Sequence, residues 1–464
     1  MPQATSKSLS IHSTLDRVHV RGDVEQDLRM VVDAPLRSLL SHPTPRSMDL
    51  LTIAAGVYAV DRAVKRKASD RNETGIRSLR LNFAVHDLPF WQRADISEAV
   101  TQILCFLTDE NWSLTFKRAA AEPLSTDRQS RMDFPLNPRP GRIALFSGGL
   151  DSAAGLASRV LMGEGDYLLL TVGHHHRLRR QCADQIQQLS HQTGTPRQLH
   201  ATLVVRQSGG VARRMSHQEG SQRSRGFLFT AAAGVVAQAC NIGDIEVFEN
   251  GVGAINLPVM AGMLSGGIAT RGAHPTFLRW MGQLASSVAG QPIRYTLPFV
   301  ASTKAEILLP LQAHGLGDWL QLSRSCVHTS LRERKMSHCG QCPGCIERRQ
   351  AFAAAGVHER IADNYVVDLL ADVPLAPDNA DYLRRYVDDA EGWLSGDPSV
   401  RRRLAWHLAG TDVPSEQHVA IARLQCRHAR EVMETLGHLT VKNVCKVPTL
   451  FRRTRTPLFS EIAP

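Results

Sequence analysis

From Arg142 onward, short apolar runs alternate with amphipathic ones, and that alternation restricts the fold more than any other feature of the chain. IALFS, YLLLTV, HATLVV, IEVF and IRYTLPF read as strands. Each is followed by a helical pattern, over residues 152–162, 178–192, 226–240, 275–289 and 303–314. Such βαβ repetition predicts an α/β fold: a parallel sheet with helices on both faces. Ligands of such sheets lie beyond the carboxyl ends of the strands.

The first of those ends carries the strongest chemical signal, Phe146-Ser147-Gly148-Gly149-Leu150-Asp151-Ser152. Two glycines let the backbone turn sharply and come close to an anion. The amide groups that follow open a helix and face one point, which makes an anion nest. Ser147 and Ser152 add hydroxyl donors, and Asp151 can cap the helix or hold a phosphate-bound Mg²⁺ through water. The loop is neither a Walker pattern, which needs a Lys after its last Gly, nor a GxGxxG fingerprint.

A second signal lies near the end of the alternating region. Cys326 is followed by Cys339, Cys342 and Cys345, the last three as CxxCxxC. In a reducing compartment such a cluster reads as metal ligands, not disulfides. Four thiolates close a tetrahedron around Zn²⁺ and leave no open position, so the expected ion is structural. An iron–sulfur cluster is the rival.

Around this body the chain is larger than its motifs require. Its 464 residues suit two domains or one decorated one. Residues 1–45 are polar with Pro-containing turns and read as an arm. Residues 46–118 read as a small α+β module: a helix over 49–67, the strand SLRLNFAV, a helix over 96–107 and a strand over 113–118. The Pro-rich stretch 119–141 reads as a linker, and residues 357–464 as a helical extension with Pro-marked breaks. Hydrophobic residues at 43% and charged ones at 21% exclude a disordered, collagen-like or coiled-coil chain. No apolar run reaches the roughly 20 residues of a membrane span, and the N-terminus has no signal-peptide core, so a soluble cytoplasmic protein is expected. The net charge of +10 favours polyanionic partners, although a solvated basic surface accounts for it equally well.

SGGLDS resembles the pyrophosphate loop (PP-loop) of the N-type ATP pyrophosphatases, which have an adenine nucleotide alpha-hydrolase-like fold. Together with SC…HCGxCxxCxxR, residues 142–356 resemble 7-cyano-7-deazaguanine synthase, the zinc enzyme of the queuosine pathway. The resemblance implies ATP and Mg²⁺ as well as Zn²⁺, with ATP held by residues 146–152. Adenine would lie near Thr171–Gly173, with Gly173 in contact. Thr303-Lys304-Ala305-Glu306-Ile307 resembles the family's TKxEI segment, which makes Lys304 and Asp151 the catalytic pair. Gly173 and His176 match parts of NYGQRH, and Arg225 and Phe229 match RNxxF. The departures cluster at the substrate end. NYGQRH reads Thr171-Val172-Gly173-His174-His175-His176, the Asn of RNxxF is Gly226, and a family Asp is Asn256. YPDCR is absent, and Thr270-Arg271-Gly272-Ala273-His274-Pro275 stands instead. His176, Arg225, Asn256 and Arg271 are therefore the candidate substrate residues. The three consecutive histidines point in different directions and read as a polar loop, not a metal site.

The chemistry implied is adenylation of the carboxylate of a small deazaguanine substrate, 7-carboxy-7-deazaguanine, followed by attack of an amine: an ATP-dependent ligase releasing AMP and pyrophosphate. Enlarged chains of this type resemble components of bacterial antiphage defence operons, which implies partner proteins and a protein amine as acceptor. Three alternatives stay open: a housekeeping synthase using ammonia, a tRNA-modifying enzyme, and an ATP-binding scaffold. Nucleic acid is not favoured, because no basic stretch is interleaved with aromatics.

Overall fold

The structure is a computed structural model that describes residues 7–14, 17–40, 43–65, 76–120, 140–173, 176–207, 219, 223–258, 270–328, 337–371 and 375–444. Most of the expected linker (121–139), His174, His175 and residues 445–464 lie outside the described residues.

The described strands form one ten-stranded sheet. In chain order they are β1 (Lys7–Thr14), β2 (Arg17–Gly22), β3 (Gln26–Val32), β4 (Ser78–Val85), β5 (Asn111–Arg118), β6 (Arg142–Leu145), β7 (Tyr167–Gly173), β8 (Leu199–Gln207), β9 (Asp244–Val247) and β10 (Arg294–Thr296). The spatial order is β10-β9-β6-β7-β8-β3-β2-β1-β4-β5. The five strands after Arg142 are mutually parallel, as the alternation requires.

β7 shows why those strands read as continuous apolar runs. Leu168, Leu170 and Val172 enter one core, while Tyr167 and Leu169 enter the other. A strand buried on both faces has no polar side to show. The first core is closed by helices Pro45–Ala63, Ala94–Thr108, Arg225–Cys240 and Pro275–Ala289. The second is closed by Leu150–Leu161, His176–Thr193, Lys304–Ala313 and Pro343–Ala354. A third core joins helices Pro377–Ser395, Pro398–Gly410 and Ser415–Val444 to Ile255 and Ile346. None of the described helices is long and apolar enough to cross a membrane.

The described part of residues 1–45 is not the polar arm that the sequence suggests. It supplies the antiparallel strands β1–β3 and a short helix, Ala34–Leu39. β3 pairs antiparallel with β8 and β1 pairs parallel with β4, so this meander joins the parallel body to the N-terminal strands in one sheet. Its apolar signal is thin. RVHVRG buries only Val18 and Val20 fully, between basic neighbours, and such a strand looks polar in the sequence.

A buried ionic cluster locks this junction. Arg77 Nη2 lies 2.5 Å from Asp61 Oδ1, and its Nε lies 3.2 Å from Glu110 Oε1. Ser224, at the head of helix Arg225–Cys240, donates to Asp61 Oδ2 from both N (3.1 Å) and Oγ (2.8 Å). Burial alone would raise the Asp61 pKa, but Arg77 and Ser224 outweigh it and hold the carboxylate below its usual range. Removing Arg77 takes the paired guanidinium from two buried carboxylates, so Arg77→Ala should cost about 3–5 kcal/mol in a denaturant melt. Arg93→Ala, which breaks an exposed pair with Asp95, should leave the midpoint where it was.

A second test concerns His200 on β8. Thr171 Oγ1 donates to Phe146 O (2.7 Å), so it accepts from His200 Nε2 (2.9 Å), and the imidazole sits neutral in the sheet. Burial pushes its pKa down to about 4. The unfolded histidine takes its proton near 6.5 and the folded one only near 4, so its contribution to stability is lost as pH falls through that window. Melts between pH 7 and 4 should show the decline, and His200→Gln should make it shallower.

Candidate functional site

The glycine loop begins where β6 ends. Phe146 N donates to Leu170 O at 2.9 Å, which holds the strand end beside β7. Gly148 then takes φ +69°, in the left-handed region. A Cβ there would meet Gln185 Oε1 at 3.0 Å and Cys182 Sγ at 3.1 Å, so both conformation and space demand glycine. Gly149 is the N-cap of helix Leu150–Leu161, and no side chain caps that helix. Ser147 Oγ accepts from Gly149 N (3.2 Å), and Ser152 Oγ donates to Gly149 O (3.0 Å). The next amides of a twelve-residue helix are left for an outside acceptor, which is the condition for binding an anion.

Asp151 and Lys304 meet at this helix start. Lys304 Nζ lies 3.1 Å from Asp151 Oδ2 and 3.8 Å from Glu347 Oε2. Asn250 Nδ2 donates to Asp151 Oδ1 (2.8 Å) and to Glu249 Oε1 (3.0 Å). One ammonium thus serves three carboxyl groups. Burial works against the lysine's charge, but Asp151, Glu347 and Glu249 more than offset it and hold its pKa above the ordinary value. Burial and then the Asp151 charge push the Glu249 carboxyl well up. Lys304 opens its helix behind a full capping box: Glu306 N donates to Thr303 Oγ1 (3.1 Å) and Thr303 N to Glu306 Oε2 (2.9 Å).

Glu249, Asn250 and Glu347 escaped the sequence reading. Glu249 and Asn250 follow β9 directly, and the carboxyl end of a central parallel strand is the signal that points to them. Glu347 stands two residues after Cys345 on helix Pro343–Ala354 and carries no such signal.

The four cysteines come together. Their Sγ atoms all lie within 4.8 Å of one another. Cys339–Cys345, Cys342–Cys326 and Cys342–Cys345 are separated by 3.9, 4.0 and 3.4 Å. Sulfurs bonded to one zinc at about 2.3 Å stand about 3.8 Å apart, so the set fits a single tetrahedral ion. Thiolates that each bind a different iron of a cluster must stand wider. Backbone amides of Cys339 and Cys342 donate to Cys326 Sγ (3.5 Å) and Cys339 Sγ (3.3 Å), which favours the ionised thiols.

Three of the candidate substrate residues gather along residues 270–272, where Asn256 meets Thr270 and Gly226, next to Arg225, lies against Gly272 beside Arg271, while His176 heads a different helix. Gly173 ends β7, and His176 opens helix His176–Thr193. Arg225 starts helix Arg225–Cys240, exposed, with its guanidinium 5.6 Å over Phe229. Asn256 takes φ +47° and donates from Nδ2 to Thr270 O (2.9 Å). Arg271 turns to the N-terminal strands' helix: Nη1 donates to Phe106 O and Asp109 Oδ1, both 2.7 Å. It thereby closes the C-terminus of helix Ala94–Thr108 and does not meet Asp151 or Lys304. Gly226 presses on the same segment, where an added Cβ would lie 2.8 Å from Gly272 Cα. An Asn at 226 does not fit this path of residues 270–273, so the two departures are one coupled change.

The metal reading has a direct check. Purified protein should be colourless and carry one zinc per chain by elemental analysis, and Cys345→Ser should lose the ion and melt at lower temperature. A brown, iron-rich protein would reverse the assignment.

Comparison with known proteins gives the family of the chain. A family model described as "Queuosine biosynthesis protein QueC" matches residues 272–356, which hold Lys304 and the four cysteines. The 7-cyano-7-deazaguanine synthase of Methylobacillus flagellatus is 30% identical over 223 residues, 46% of this chain and 92% of the relative. That of Ralstonia nicotianae is 31% identical over 225 residues, again 46% of this chain and 95% of the relative. The enzyme of Marinobacter nauticus is 33% identical over 137 residues, 30% of this chain and 49% of its own. A match that takes in nearly the whole of two relatives at that identity makes this chain a member of the 7-cyano-7-deazaguanine synthase family.

Proposed function

We propose that the protein activates the carboxylate of 7-carboxy-7-deazaguanine, or a close analogue, with ATP and passes the acyl group to an amine. A carboxylate oxygen attacks the α-phosphorus, the bond to the β-phosphate oxygen breaks, and pyrophosphate leaves. The amine nitrogen then attacks the acyl carbon, the acyl–oxygen bond breaks, AMP leaves, and the amine gives up a proton. The observation that carries this reading is the uncapped Gly149–Ser152 helix start with the Lys304 ammonium directly beside it, 3.1 Å from Asp151. Amides that need no reorganisation would grip the departing pyrophosphate, and Lys304 would neutralise charge as it develops. A magnesium ion bound with the nucleotide would supply further neutralisation. Asp151, whose oxygens each keep a lone pair beyond Lys304 and Asn250, is the residue placed to hold it through water.

The acceptor in this proposal is an amine on a partner protein, and the chain is an enlarged, cytoplasmic member of the family serving a bacterial antiphage defence operon. Two features support that extension. The relatives account for less than half of this chain. The rewritten segment around Arg271 is bound by added parts of the chain instead of facing the loop.

Incubation with ATP, the acid and ammonium should release pyrophosphate and AMP, and Lys304→Met should slow release by about 10²–10³-fold. A free nitrile would mark ammonia as the acceptor, while a deazaguanine mass added to a co-expressed operon protein would mark a protein amine. Absence of both pyrophosphate and AMP, with and without partners, would sink the reading.

A further inference from the structure

We propose that the C-terminal helices are a positioning element of the Lys304 site, in which Tyr382, Arg427 and Glu431 fix the lysine and its partner Glu347 from behind. These residues lie outside the stretch 272–356 that the family model matches. They reach the site by two routes.

The first route runs through helix Pro377–Ser395. The Tyr382 hydroxyl donates to Glu347 Oε1 at 3.0 Å, and the other oxygen of Glu347 faces Lys304. Tyr382 is buried, and burial together with Glu347 pushes its pKa well up, so it stays a phenol and remains a donor. Glu347 itself is 40% exposed on its side chain. The second route runs through helix Ser415–Val444. Thr303 Oγ1, already accepting from Glu306 N, donates to Glu431 Oε1 at 2.5 Å. Arg427 holds the other half of the capping box, from Nε to Glu306 Oε1 (2.6 Å), and reaches Ala301 O (2.7 Å) from Nη2. Both members of the cap next to Lys304 are therefore gripped by one helix.

The two routes share a frame. Tyr382 and Tyr386 stack at 5.8 Å on the first helix, and the Tyr386 hydroxyl pairs with His428 Nε2 (2.9 Å) on the second. A lysine side chain has many rotamers, and freezing it among three carboxyls costs entropy that a rigid helix start and a fixed Glu347 reduce. Misplacement by about 1 Å is enough to cost about 10²-fold in rate.

The proposal rests on the reading of Lys304 as an ATP-site residue, so its test carries a readout independent of turnover. In the full chain, Tyr382→Phe and Glu431→Gln should lower kcat for pyrophosphate release about tenfold or more while KM for ATP stays within about twofold. The same variants should raise the labelling rate of Lys304 by an amine-reactive reagent, mapped by mass spectrometry, with zinc content unchanged. Arg427→Lys should recover part of what Arg427→Gln loses. Folded, zinc-replete variants with wild-type kcat and wild-type labelling would overturn the proposal. If the wild-type chain releases no pyrophosphate, the functional reading falls, and the labelling rates alone decide whether the extension positions Lys304.

Discussion

An ammonium group that has lost most of its water must be surrounded by opposite charge, and that requirement at Lys304 organises the centre of the molecule. Asp151 comes from the helix after β6, Glu249 and Asn250 from the turn just past β9, and Glu347 from the helix that Cys342 caps and that carries Cys345. Three parts of the parallel body must therefore stay in register for one charge to be tolerated. The cysteine cluster contributes to that register. Cys342 is the N-cap of the helix bearing Glu347, so an ion that ties Cys342 and Cys345 to Cys326 and Cys339 sets where Glu347 begins. A metal held by these four thiols would in this way be linked to the site through a single helix.

Where the sequence was legible, the physics is local. Apolar runs mark the parallel strands, β7 above all, which is buried on both faces, and paired glycines between strand and helix mark the turn at Gly148. A CxxCxxC pattern marks thiolates that one helix start can bring together. The illegible parts depend on partners far along the chain. β1–β3 bury few side chains each and become strands by joining β8 to β4, an arrangement that no window of the sequence contains. Glu347 meets Tyr382 across 35 residues, and Thr303 meets Glu431 across 128. A tyrosine or glutamate in an amphipathic helix reads as surface or core, and only the docked helix shows that it meets Glu347 or Thr303.

The substrate end teaches a different lesson. Residue identities there departed from the family's motifs, and the sequence alone could not say whether the site was lost or rebuilt. The close approach of Gly226 and Gly272 gives the physical setting of that departure: two adjacent backbones without side chains allow residues 270–273 to lie across the head of helix Arg225–Cys240. Arg271 then leaves the nucleotide side for Phe106 and Asp109.

The same segment is where the two additions to the chain converge. His274, the N-cap of helix Pro275–Ala289, lies with its ring 5.3 Å from Phe106 of the N-terminal part and 6.1 Å from His407 of the C-terminal part. Burial pushes its pKa down to about 3, so it sits as a neutral ring in a dry junction. His407 in turn pairs with Ile255 O, and Thr276 donates to Thr411 O. A stretch fastened from both sides in this way has little freedom to close over a small ligand by itself.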